Sequence, residues 1–351
     1  MNAPLAYSLA AFQRGGYREA RGAIEDLQSL GFRWLTFTPT YLVYDEIPPR
    51  IDTARGPDIE EVEDAVLFAA EAGFGIRLEP HLDWEATLTG GPYEWRRRML
   101  VQPDEAYSDA VAAPLVERLG GATRQFTLGS ELDVSLVQFG EEWLRLLESL
   151  RSVNGSLEYG HKLNHDVFRA RKAIRQSLNA ERVRHGLRKA GRFEYRDRMA
   201  RAGAYLARLN YAAFSFYPDM GEEGDLARGF AEKAQALVDD LRTTAGPSPA
   251  FSIGEFGLGC ADPARPWHVD ASSFDSEDAM ELRRRYYLEF LECLRRRPDL
   301  FGEQPSTFWT VGHFDFLGAL QQFSANAVQP RFRDDRLRQA VLQYNQEASP
   351  A

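Results

Sequence analysis

The chain has 351 residues, with 42 Lys+Arg against 52 Asp+Glu for a formal net charge of −10, 44% apolar residues and two cysteines, Cys260 and Cys293. This is the composition of a folded globular protein, and it excludes disordered, collagenous and coiled-coil chains. The acidic balance argues against a general nucleic-acid binder, and two cysteines build neither a disulfide framework nor a four-cysteine zinc site.

In chain order, short apolar runs alternate with longer amphipathic stretches. Residues 6–12 read as a strand and 17–30 as a helix. The pattern repeats as strand 34–39 and helix 59–72, strand 75–81 and helix 103–119, then strand 124–129 and helix 139–153. A fifth strand, 156–161, leads into a long connection. Strand 212–217 with helix 226–243, strand 250–255 with helix 276–297, and strand 307–311 with helix 332–346 complete the series. In 59–72 the apolar residues Ile59, Val62, Val66, Ala69 and Ala70 fall on one helix face. Gly31 and Gly73 read as C-caps, Asp58 and Ser276 as N-caps.

Eight strands alternating with helices predict a single α/β domain over residues 1–351, a parallel sheet closed into a (β/α)8 TIM barrel. The competing doubly wound sheet normally shows a Gly-rich phosphate loop after its first strand, and Gln13-Arg14-Gly15-Gly16 is not one. Residues 165–201 are too long for a simple connection. They hold 12 Lys/Arg and 4 Asp/Glu, a net of +8 on a remainder of −18. A basic helical insertion after the fifth strand is expected there, at the catalytic face. It could serve as a solvated hairpin, a wall for an anionic glycan or a homodimer contact. The longest charge-free stretches, residues 1–13 and 316–330, are too short to span a bilayer. With no evident signal peptide, the expectation is a cytoplasmic protein without nucleic-acid or membrane partners.

Barrel active sites sit at the C-terminal ends of the strands. The strands leave Tyr41 there, then Glu79, His81, Asp83 and Trp84, then Ser130 and Glu131, then His161, Tyr217, Glu255, Trp309 and His313. Glu131 and Glu255 each follow an apolar strand and a small residue, on the fourth and seventh strands. Two carboxylates about 5–5.5 Å apart across a barrel mouth can hydrolyse a glycoside by double displacement, one as acid/base and one as nucleophile. No cofactor or metal is needed. The rim aromatics suit the apolar C–H faces of sugar rings.

The stretches Leu30–Thr40, Leu78–Asp83, Leu128–Leu132, Phe214–Pro218 and Ser252–Gly257 together resemble clan A glycoside hydrolases, most closely the β-mannanase-like barrels of glycoside hydrolase family 113. The resemblance implies a retaining hydrolase of β-linked oligo- or polysaccharides, with a mannan-type substrate as first expectation. It makes Glu131 the acid/base and Glu255 the nucleophile, and puts His81, Tyr217 and Trp309 around the attacked sugar. The clan usually has Asn before the acid/base to hold the substrate 2-OH; Ser130 stands there instead. Two other readings remain: a catalytically inactive barrel that binds glycan or protein, and a metal-dependent hydrolase using His81, Asp83, His161, His165 and Asp166.

Overall fold

The computed structural model describes residues 3–44, 46–84, 99–164, 171–219, 226–302, 304–309, 315–319 and 333–348. His165, Asp166 and His313 lie outside them. The strands are β1 (Leu5–Ala11), β2 (Trp34–Tyr44), β3 (Arg50–Asp52), β4 (Gly75–Leu78), β5 (His81–Trp84), β6 (Gln125–Ser130), β7 (Glu158–Asn164), β8 (Tyr211–Phe216), β9 (Ala250–Phe256) and β10 (Ser306–Phe308). Parallel pairing runs β1-β10-β9-β8-β7-β6-β4-β2 and returns to β1, which closes the barrel; β3 is an antiparallel hairpin partner of β2. Pro80 has no N–H to donate to the ladder. The third barrel strand is accordingly in two pieces, β4 and β5, both lying beside β2.

The strands are buried on both faces, as in barrels wrapped by helices. Their outward side chains form one apolar core with the helices. Inside, the floor is polar: Arg77 donates from Nε to Gln125 Oε1 (2.9 Å) and from Nη2 to Ser252 Oγ (3.0 Å), and Thr36 meets Thr307 at 3.2 Å. Gly31 and Gly73 take the left-handed conformation expected of C-caps, at φ 75° and 88°. Ser276 caps its helix by accepting from the Ala279 N–H at 3.1 Å. Asp58 holds the N-cap position of helix Ile59–Glu71 without a side-chain cap bond; its carboxylate pairs with Arg14 at 2.7 Å instead.

The basic stretch contributes two described helices of different kinds. Helix Arg192–Leu206 is the ordinary barrel helix after β7, with Tyr205 packed on Trp143 of helix Gly140–Val153. Helix Arg171–Arg184 is extra. It seats Ile174 and Leu178 on Leu100, Val134 and Val137, so it rests on helix Asp133–Gln138, which starts two residues after Glu131.

Candidate active site

Each candidate glutamate follows a break in strand register. Between β6 and β7, Thr127 pairs with Gly160 but Ser130 pairs with Lys162, so β6 has one extra residue. Such a bulge interrupts the ladder and re-aims the side chains beyond it. Here the Leu128 carbonyl accepts from the Tyr107 hydroxyl. Ser130 then faces inward beside Lys162. Glu131, the next residue, sits at φ 55°, the one non-glycine residue with positive φ among the described residues, and its N–H donates to Lys162 O at 2.9 Å. A bulky side chain in that region carries backbone strain of order 1–3 kcal/mol, held in place by its surroundings. On the other side, Phe214 pairs with Ile253 but Ser215 with Glu255, which puts the extra residue at Gly254.

Glu255 is buried (4% exposed) and held at both oxygens. Tyr217 donates its hydroxyl to Oε2 at 2.9 Å, and Lys162 donates to Oε1. Lys162 Nζ, itself inaccessible, also donates to Glu79 Oε1 and lies 2.9 Å from His81 Nε2. His81 Nε2 is 2.9 Å from Glu79 Oε1 and 3.8 Å from Glu255 Oε1. Trp309, immediately after β10, stacks on His81 with ring centres 5.0 Å apart and planes at 15°, and Lys162 Nζ is 5.1 Å from its ring centre. Glu131 is less buried than Glu255, and Asn164, from the end of β7, donates its side-chain amide to Glu131 Oε1 at 2.9 Å.

The electrostatics follow from this packing. Burial by itself would raise the Glu79 pKa; the Lys162 ammonium and the His81 hydrogen bond outweigh it and hold it at about 2. Burial, reinforced by the charges of Glu255 and Glu131, lifts the Tyr217 hydroxyl well above its ordinary range, so it remains a neutral donor. Tyr217 thus feels both carboxylates.

Of the residues expected at the rim, the structure brings together His81, Tyr217, Glu255 and Trp309, with Glu131 and Ser130 on the adjoining strand end. Ser130 Oγ is buried without a hydrogen-bond partner among the described residues. Asp83 is buried two residues beyond His81, paired with Leu42. Trp84 ends β5 opposite Val43. Two expectations are corrected, both by the two-residue alternation of strand side chains. His161 points outward from β7, edge-on to Trp143 (5.1 Å) with Nδ1 3.1 Å from the Tyr205 hydroxyl. Desolvation there pushes its pKa down to about 3, so it is a neutral core residue. Tyr41 likewise faces out of β2 into the apolar core, covered by Gly56.

Sequence reading placed Glu79 at the rim without a role and missed Lys162 and Asn164. Their signal was the same alternation: 79, 81 and 83, and 160, 162 and 164, are the inward sets, and a lysine inside an apolar strand needs buried partners. Glu79, His81 and Glu255 could ligate a metal. However, Lys162 Nζ contacts all three, so a fixed ammonium already occupies the point where their ligand atoms converge. The donor set does not fit a metal centre.

No protein-family model matches the chain, and no curated protein matches it by sequence. Solved structures do match. The GH113 β-mannanase from Alicyclobacillus acidocaldarius is 14% identical with a TM-score of 0.62, covering 99% of this chain and 98% of that one. A GH5_18 protein from Streptomyces cattleya, solved with Manβ1-4GlcNAc, is 13% identical at TM-score 0.58, covering 99% and 82%. A β-glucosidase from Thermotoga maritima, solved with cyclophellitol, is 12% identical at TM-score 0.56, covering 99% and 97%. The same barrel family that the sequence motifs resemble therefore stands among the structural neighbours, and the chain shares with all three the closed (β/α)8 fold.

Proposed function

We propose that the protein is a retaining glycoside hydrolase of β-linked glycans, with Glu255 as nucleophile and Glu131 as acid/base. The observation that carries this is the unlike setting of the two carboxylates. Glu255 is buried and clamped at both oxygens, as a group that must approach one carbon atom along one line requires. Glu131 is more open, as a group that trades protons with a leaving oxygen and then with water requires. In the first step a Glu255 oxygen bonds to the anomeric carbon while the glycosidic C–O bond breaks, and Glu131 gives its proton to the departing oxygen. In the second, Glu131 takes a proton from water, the water oxygen bonds to the anomeric carbon, and the ester electrons return to Glu255. Tyr217 holds Glu255 throughout.

Trp309 and His81 form a stacked wall against which the sugar ring rests, with Asp83 and Ser130 as further sugar contacts. The substrate is an oligo- or polysaccharide. A β-mannoside is the first choice because, of the three solved neighbours named above, one is a β-mannanase and another was solved with Manβ1-4GlcNAc. The extra helix Arg171–Arg184, through its seat on helix Asp133–Gln138, borders the cleft on the Glu131 side.

The test is turnover of aryl β-mannoside, glucoside, galactoside and N-acetylglucosaminide, with the anomer of the first product read by proton NMR. Release of the β-anomer supports the reading. Release of the α-anomer makes Glu255 a base, and no turnover on any substrate leaves a binding barrel.

A further inference from the structure

We infer that Lys162 and Glu79 act as a charge-compensating pair beneath the nucleophile: Lys162 holds Glu255 as a carboxylate before attack, and Glu79 keeps the ammonium paired once attack has consumed that charge. The inference rests on the hydrolase reading above and adds two positioning residues to it.

The geometry is specific. Lys162 is inaccessible to solvent and aims Nζ at Oε1 of both glutamates and at Nε2 of His81, under the ring of Trp309. Among the described residues, these are the charged and titratable groups in contact with its ammonium. The path for its side chain is provided by Gly254, the residue before the nucleophile: a Cβ there would lie 2.7 Å from Lys162 Cδ and 3.0 Å from the Ala213 Cβ. The bulge that aims Glu255 and the slot that admits the lysine are therefore the same residue.

The count of charges shows what the second carboxylate does. At rest one ammonium faces two carboxylates. When a Glu255 oxygen bonds to the anomeric carbon, its negative charge passes into a neutral ester, the leaving oxygen departs with the proton of Glu131, which becomes the new carboxylate, and the ammonium itself keeps one carboxylate fewer. With Glu79 present the ammonium is still paired. With Glu255 alone, attack would strand a buried ammonium, the costliest outcome for an ion pair out of water. Glu79 is ionised throughout the working range, consistent with its low pKa.

The experiment compares wild type, K162M, E79Q and the double variant K162M/E79Q. Wild type is first treated with a panel of 2,4-dinitrophenyl 2-deoxy-2-fluoro-β-glycosides, and the labelled residue is located by peptide mass. A label on Glu255 supports the hydrolase reading independently of Lys162. No label and no turnover on any sugar overturns that reading and this inference with it. Given the label, each single variant is expected to lose about 100-fold or more in labelling rate, because K162M leaves two buried carboxylates without a cation and E79Q leaves the ammonium unpaired once the ester forms. The double variant, uncharged at both positions, is expected to recover at least about 10-fold over either single one. It is also expected to show the acid limb of its kcat/KM profile raised by about one pH unit, since Glu255 has lost its ammonium. A purely structural role predicts the same recovery in the double variant but leaves the acid limb where it stands in wild type. Single variants within threefold of wild type, or no recovery in the double variant, overturn the inference. Should a single variant fail to fold, an unshifted acid limb in the double variant overturns it as well.

Discussion

At the scale of single residues, the two carboxylates should respond differently to removal. Glu255→Ala should abolish turnover of every substrate, activated or not. Glu131→Ala should lose about 10²–10⁴-fold on substrates whose leaving group needs a proton, and much less on dinitrophenyl glycosides. Azide should restore activity to Glu131→Ala by replacing base-assisted water and should yield a β-glycosyl azide; an α-azide from Glu255→Ala is the signature of the nucleophile position. Rescue patterns exchanged between the two variants would reverse the roles. His161 offers a stability test away from the chemistry. Its ordinary pKa of 6.5 falls to about 3 in the folded state, so below pH 6.5 the unfolded chain binds the proton that the folded one refuses. This contribution is intact above pH 6.5 and is lost as pH falls towards 3, at up to about 1.4 kcal/mol per pH unit. Chemical denaturation of His161→Phe between pH 7 and 4 should therefore give a flatter stability curve than wild type. An equal slope would mean that the imidazole is not buried neutral.

At the scale of elements, the bulge in β6 is the device that delivers Glu131. Its Gly129 leaves no room for a side chain, since a Cβ would lie 2.5 Å from His161 Cε1 and 3.1 Å from Nδ1. The imidazole is wedged between Trp143 and Tyr205 and has nowhere to move. Gly129→Ala should cost about 1–3 kcal/mol in denaturant unfolding. Because it tilts the end of β6, it should also lower kcat more than it raises KM. Unchanged kinetics would show that the bulge does not position Glu131. All eight barrel strands and the helices between them were legible in the sequence from apolar runs, amphipathic periods and caps, because these are local signals. The positions of Glu131 and Glu255 followed from their place at strand ends. The facing of individual side chains did not. A strand end alone does not say whether His161 or Lys162 points inward: alternation divides β7 into two sets, and which set faces the barrel interior is decided by the helices and strands packed against it. Asn164 escaped for the same reason. Its amide reaches Glu131 from the next strand, not from the adjacent position in sequence where Ser130 stands.

At the scale of the molecule, the net +8 of residues 165–201 is compensated only in part, with Arg182, Arg184, Arg198 and Arg201 paired to carboxylates among the described residues. Arg182 and Arg198 share Glu194, and Arg182 also donates to Gln138 Oε1 and Arg198 to Gln138 O, tying the hairpin to the helix after Glu131. Arg171, Lys172, Arg175, Arg188, Lys189, Arg192 and Arg196 have no carboxylate within salt-bridge distance among the described residues, and they supply most of the field the described segment projects. Leu178→Asp should unseat helix Arg171–Arg184 at a cost of several kcal/mol, since it buries an unpaired charge among Leu100, Val134 and Val137. If that helix borders the cleft, KM for a polymer should rise more than KM for an aryl glycoside. Equal changes would confine its role to stability. Glu79, Lys162 and Glu255 come from three strands far apart in sequence, yet they share one buried set of charges and cannot drift independently. A lineage that loses the lysine must also neutralise position 79, and the genotype in between carries a penalty of about 3–5 kcal/mol. That is a large part of the 5–15 kcal/mol by which a domain is stable. Descendants and ancestors of this sequence should therefore hold Glu79 and Lys162 together or lack both.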